Sequence, residues 1–143
     1  MELRRTTSEH PVFGALTGAL DAELVVRYGP VQDLYKGFNK FACETVIVVG
    51  DAGCGCFKPF DAETAELKRM FVRRDQRGRG VASAILAGLE DWARELGFRA
   101  MVLETGDLQL EAIAMYRKHG YADMPKFGPY VDLPASVCLR RAL

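Results

Sequence analysis

Apolar and polar positions along the chain follow two periods, and the change from one to the other marks the elements. After a short extended start at Leu3 to Arg5, Pro11 introduces Val12, Leu16, Leu20, Leu24 and Val25 at near-helical spacing, as far as the YGP sequence at 28–30. That pattern predicts a first helix. The stretch ACETVIVVGDAGCGCFKPF, 42–60, joins a β-branched run to a turn at Gly50, Asp51 and Gly53 and then to a second extended run. A hairpin follows from this. From Glu63 to Val72 the alternation predicts a strand with Leu67, Arg69 and Phe71 on one side and Glu66, Lys68, Met70 and Val72 on the other.

Further on, Ala82, Leu86, Leu89, Ala93 and Leu96 recur at steps of three and four, and Gly97 supplies a stop. RAMVLET reads as a strand, LEAIAMYRKHGY as a shorter helix ended by Gly120, and SVCLRRAL as a closing strand. Strand, helix, strand, helix, strand favours an α/β (α+β) mixed sheet with helices on its faces. With 143 residues, no repeats and no linker-like tract, one domain over 1–143 is expected.

Composition narrows the function classes. Nineteen basic and nineteen acidic side chains cancel, which leaves no global field for nucleic acid or an anionic membrane surface. Asp75 also interrupts the basic run RRDQRGR, so nucleic acid is not expected as a partner. The first residues lack the apolar core of a signal peptide, and no run reaches the ~20 apolar residues of a membrane span, so a cytoplasmic protein is expected. Cys54 and Cys56 share one face of a strand but match no zinc or dithiol spacing, and neither His10 nor His119 is close in sequence. Small buried thiols and no metal are the expectation.

The chemistry concentrates in RRDQRGRGVASAIL, residues 73–86. A strand ending at Val72, followed by Gly78 and Gly80 at the mouth of a helix, is the geometry of an anion site: glycine allows close backbone approach, and the first helical turn leaves N–H groups unpaired. Arg77 and Arg79 would add charge at the rim. The spacing fails both the Walker loop and the three-glycine dinucleotide fingerprint.

Arg77 through Gly80 to Ala82 instead resembles the Q/R-x-x-G-x-G/A signature of the GCN5-related N-acetyltransferase (GNAT) superfamily. Ala112, Tyr116, Gly120 and Tyr121 resemble the family's later motif, in the same order and at similar separation, and the resemblance covers roughly 44–143. Gln109 stands where many members have Asn, and Ala82 is a tolerated variant at the last loop position.

The resemblance implies a GNAT-like fold, a central twisted mixed sheet whose middle strands splay apart. It implies acetyl-CoA as co-substrate, with the amides of Arg77, Gly78, Arg79, Gly80, Val81 and Ala82 on its pyrophosphate and the backbone of Met70, Phe71 and Val72 along its pantetheine arm. It assigns the proton donor to Tyr116 and points to Glu66 as base, on the same face as Met70 and Val72, with Glu104 or a water chain as rivals. Tyr130, Asp132 and Glu104 would suit a cationic or amino-acid-like amine beneath the loop 124–134. The expected activity is acetyl transfer to a primary amine, of a small-molecule or amino-acid-like substrate in the first instance. A protein lysine or N-terminal amine, and a CoA-binding module without turnover, remain alternatives. A homodimer is a further possibility, through an edge strand near the C-terminus.

Overall fold

The computed structural model describes residues 1–35, 37 and 41–143. The elements run β1 (Arg4–Thr6), α1 (Pro11–Tyr28), a 3-10 turn (Gly29–Leu34), β2 (Val46–Val49), β3 (Gly53–Pro59), β4 (Thr64–Val72), α2 (Val81–Glu95), β5 (Ala100–Gly106), α3 (Leu110–Lys118), β6 (Ala122–Asp123) and β7 (Ser136–Ala142). One seven-stranded sheet has the order β1-β2-β3-β4-β5-β7-β6. Only β4 and β5 pair in parallel; the other neighbours are antiparallel. This is the mixed sheet that the alternating pattern predicts.

Helix α1 starts where the sequence says it should. Pro11 occupies the first turn, and His10 Nδ1 accepts the Val12 N–H at 3.2 Å, replacing one missing helical bond. The buried stripe is Phe13, Leu16 and Leu20; Val25 faces solvent. With Val46, Val48, Cys54 and Cys56, Phe13 and Leu16 form a core on one face of the sheet. Ile47, Val49, Phe57 and Leu67 point the other way, against Val81, Ile85, Leu86, Leu89 and Ala93 of α2. Central strands are therefore buried on both sides, with helices on both faces. All four cysteines are buried and free.

Two features lie outside the sequence reading. The short strand β6 pairs with β7, so β7 is flanked by β5 and β6 and is not the sheet edge considered above for a dimer. Glu90 is 3% exposed on the buried face of α2, where it accepts the Tyr121 hydroxyl and Arg141 Nη1, both at 2.8 Å, and ties α2 to β7. No helix among the described residues is long and apolar enough to cross a membrane, and no group of side chains there could hold a metal ion.

Candidate active site

The site begins at an irregularity in β4. Lys68 pairs with Cys56 and Phe71 with Cys54, so Arg69 and Met70 together oppose Gly55 alone. Arg69 takes the left-handed conformation, φ 58°, which arginine rarely adopts. Gly55 is required opposite: a Cβ there would collide with Met70 Sδ and press Ile85 and Leu89 at 3.0 Å.

The bulge reverses the alternation expected from sequence. Glu66, Lys68, Arg69 and Phe71 lie toward the α1 side, whereas Leu67, Met70 and Val72 pack toward α2. Glu66 thus does not share a face with Met70 and Val72. One inserted residue is enough to invert every later side chain.

Beside the bulge the sheet opens. The β4–β5 ladder ends at Leu67 opposite Leu103, yet β4 continues with β3 to Val72 and β5 continues with β7 to Gly106. The edges of Met70–Val72 and Glu104–Gly106 consequently face a gap. This is the expected splay.

A cleft of about 540 Å³ occupies one side of the gap. Met70, Phe71 and Val72 form one wall, Gly78, Gly80, Val81 and Ala82 the head, and Ala112, Met115 and Tyr116 of α3 the other wall. Gly78 and Gly80 stand at φ 78° and 80° with open space where a side chain would project, so glycine is needed there for its dihedral and not for space. Gly80 is the N-cap of α2, without a side-chain cap. The amides of Gly78, Arg79 and Gly80 meet no backbone acceptor among the described residues, and the first turn of α2 adds further N–H groups by construction. Orphan donors at the positive end of a 15-residue helix make a cradle that fits a diphosphate.

The arginines play a different part from the one expected. Arg77 donates through Nη1 and Nη2 to Glu23 at 3.0 and 2.8 Å and through Nε to Val72 O at 2.8 Å. Its guanidinium anchors the loop to α1 and is not free for phosphate. Arg73 pairs with Asp51 and Asp75, and Arg74 lies 3.5 Å from Glu23. Arg79 is exposed and lies outside the cleft wall. The loop offers its backbone to an anion, while most of its arginines hold it in shape. Ser83, on the cleft wall 3.0 Å from His119 Nε2, is a polar group the sequence reading missed.

A smaller cavity, about 110 Å³, continues toward the α1 side and shares Leu20, Met70, Gln109, Ala112 and Tyr116 with the first. Tyr116 therefore stands at the junction. It is 5% exposed, burial pushes its hydroxyl well above the ordinary phenol range, and the hydroxyl has no hydrogen-bond partner among the described residues. Among the described residues no side-chain oxygen is both fully buried and unpartnered, so this hydroxyl touches the cleft.

Glu104 lines the small cavity and Glu66 does not. Ser136 Oγ donates to Glu104 Oε2 at 2.7 Å and lies 3.2 Å from the Tyr35 hydroxyl. Oε1 has no partner. Burial raises the Glu104 pKa, against the lowering effect of the Ser136 bond and the Lys68 charge. Glu66 is buried 3.6 Å from Lys68 Nζ, which also donates to the Tyr130 hydroxyl at 3.0 Å. Tyr130 is thus a buried support for Lys68 outside the cavity wall, and Asp132 is exposed and away from it. Lys68, Tyr35 and Tyr28, whose hydroxyl accepts the Leu108 N–H at 3.0 Å, line the cavity without having been singled out.

Comparison with known proteins finds a family and a fold for the chain. The family described as Acetyltransferase (GNAT) matches residues 26–121. An IAA acetyltransferase of Azospirillum brasilense is 43% identical over 93 residues, 64% of this chain and 60% of that protein. An L-methionine sulfoximine/L-methionine sulfone acetyltransferase of Pseudomonas aeruginosa is 32% identical over 94 residues, 60% of this chain and 55% of that one. The matches span less than two thirds of the length of these curated relatives. Among solved structures, an acyl-CoA N-acyltransferase from Klebsiella pneumoniae superposes with a TM-score of 0.79 at 28% identity, covering 99% of this chain and 97% of the other. An acetyltransferase from Elizabethkingia anophelis with acetyl-CoA bound gives 0.66 at 17% identity over 99% and 97%, which is a likeness of fold.

Proposed function

The chain belongs to the acetyltransferase (GNAT) family, and we propose that it transfers an acetyl group from acetyl-CoA to the primary amine of a small molecule. The observation that carries this reading is the meeting of two clefts at Tyr116, one headed by the amide cradle at Gly78–Ala82 and the other holding the open oxygen of Glu104. When bound, acetyl-CoA supplies an activated acyl group as a thioester. The cradle amides would hold its diphosphate, and the unpaired edge of Met70–Val72 would hold its amide-bearing arm.

The remaining chemistry belongs to the protein. An alkylammonium has a pKa of about 10, so the acceptor must lose a proton before it can attack. Glu104 is suited to take it: Oε1 is open, and burial makes the carboxylate more basic than usual. Ser136 fixes the orientation of that carboxylate. Tyr116 keeps its proton across the physiological range and presents it at the junction, where the leaving sulfur needs one. A backbone N–H near Met70, on the edge beyond the end of the β4–β5 ladder, would donate to the oxyanion. Glu66, turned away beside Lys68, is left with a structural part.

A small amine as acceptor is supported by the modest size of the second cavity and by the small-molecule acceptors named for the Pseudomonas relative. Calorimetric titration with acetyl-CoA and CoA tests the reading, together with Gly80→Asp, which sets a carboxylate against the cradle. Binding by the wild type that the variant loses, followed by thiol release with an amine panel, is the expected result. A wild type that binds neither ligand would remove the proposed co-substrate.

A further inference from the structure

The bulge in β4 places two consecutive cations, Lys68 and Arg69, on the same side of the sheet, and both line the smaller cavity with Glu104. Arg69 is the less satisfied of the two. Its side chain is 5% exposed, yet only Nη2 has acceptors, Thr17 O at 2.9 Å and Asp21 Oδ1 at 2.8 Å. Nε and Nη1 have none among the described residues. No side-chain nitrogen among the described residues is both fully buried and unpartnered, so these two donors are accessible, and Arg69 lines the cavity where a ligand's acceptors would meet them. Asp21 is 48% exposed, and solvent screens much of its compensation.

Lys68 is similarly open to one more partner. Its ammonium has three donors, of which one meets the Tyr130 hydroxyl and another faces Glu66 across a long 3.6 Å. Burial lowers its pKa, which an approaching anion would offset. The cavity wall thus carries two cations and one carboxylate with an open oxygen. A simple amine would satisfy Glu104 alone. A molecule with both an ammonium and a carboxylate would satisfy all three.

We propose that Arg69 and Lys68 bind a carboxylate on the acceptor, so that the preferred acceptor is an amino acid or a close analogue whose amine lies at Glu104. This rests on the acetyl-transfer reading and adds to it the residues that set specificity. The left-handed backbone at Arg69 is then the device that brings its side chain to the same side as Lys68.

The test compares amino acids with their amides as acceptors, in wild type, Arg69→Gln and Lys68→Met. For at least one amino acid, kcat/KM should exceed that of its amide by about 10- to 100-fold, the worth of one or two hydrogen bonds to a charged group. Either substitution should bring that ratio toward one, chiefly through KM. Acetyl-CoA titration of each variant reports whether it has folded; if Arg69→Gln has not, the ratio in Lys68→Met decides. Amides used as well as the acids across the panel would overturn the proposal and leave acetyl transfer standing. If acetyl-CoA binds but no acceptor turns over, the transfer reading fails, and calorimetry with N-acetyl amino acids and their amides decides separately. Tighter binding of the acids would support the carboxylate site, and equal or absent binding would overturn it.

Discussion

Ser136 Oγ donates to one oxygen of Glu104 at 2.7 Å and leaves the other open to the cavity. A carboxylate held at one oxygen is oriented but still able to accept a proton. Glu104→Gln keeps the shape and removes that ability. The expected outcome is a fall in kcat of about 10²- to 10⁴-fold in a thiol-release assay, with acetyl-CoA affinity retained. Glu66→Gln should leave kcat within a few-fold, since its side chain lies outside the cavity. The reverse ranking would return the base to Glu66.

The same bond sets a pH dependence. Burial raises the Glu104 pKa, whereas the Ser136 hydroxyl stabilises the ionised form and lowers it. The acid limb of kcat/KM should therefore lie above the ordinary carboxylate range in the wild type. Ser136→Ala removes a lowering influence, so the limb should move further up, with activity lost at low pH and recovered as pH rises. A limb that stays in place would mean that Glu104 is not the group that titrates.

Tyr116 offers a test in which stability and activity separate. Its hydroxyl has no protein partner among the described residues, so Tyr116→Phe leaves no buried group unpaired and should change Tm little. Its ring packs edge-on against Tyr121 with centroids 5.8 Å apart, and phenylalanine preserves that contact. Turnover should fall by about 10²-fold or more while acetyl-CoA binding persists. Unchanged turnover would make Tyr116 a core aromatic only.

Much of this site was legible in the sequence because it is built from backbone. Gly78 and Gly80 before an apolar helical stripe announce a cradle, and Tyr116, singled out through the resemblance, lines the cleft that this cradle heads. What could not be read arises from tertiary packing. An arginine at positive φ has no sequence signature, yet Arg69 decides that Glu66 and Met70 point apart. Lys68 reads as one of several charges on a strand, and it is buried because the loop carrying Phe127 and Tyr130 covers that side of the sheet. Asp132 reads as a ligand and lies in solvent, since charge in a loop says nothing about direction. The strand β6 is two residues long, too short for any period to appear.

Arg77 separates a structural from a ligand-binding role most directly. Its guanidinium joins the end of β4, through Val72 O, to α1, through Glu23, and so fixes the loop on which the cradle amides stand. Glu23 is held below the usual carboxylate range, first by the Arg77 bond and with help from Arg27 and Arg74. A carboxylate with a lowered folded-state pKa contributes stability above its unfolded pKa and loses it as pH falls through the folded one. Arg77→Lys keeps the charge but cannot form the fork or reach Val72 O as well. At neutral pH it should cost about 1–2 kcal/mol, and the gap from wild type should close once the solution is acidic enough to protonate Glu23. Acetyl-CoA affinity should drop in parallel as the loop loosens, with little change in its salt dependence. Were Arg77 a direct phosphate ligand instead, the lysine variant would keep its Tm and bind with an altered salt slope, so a melt and a titration at two ionic strengths distinguish the roles.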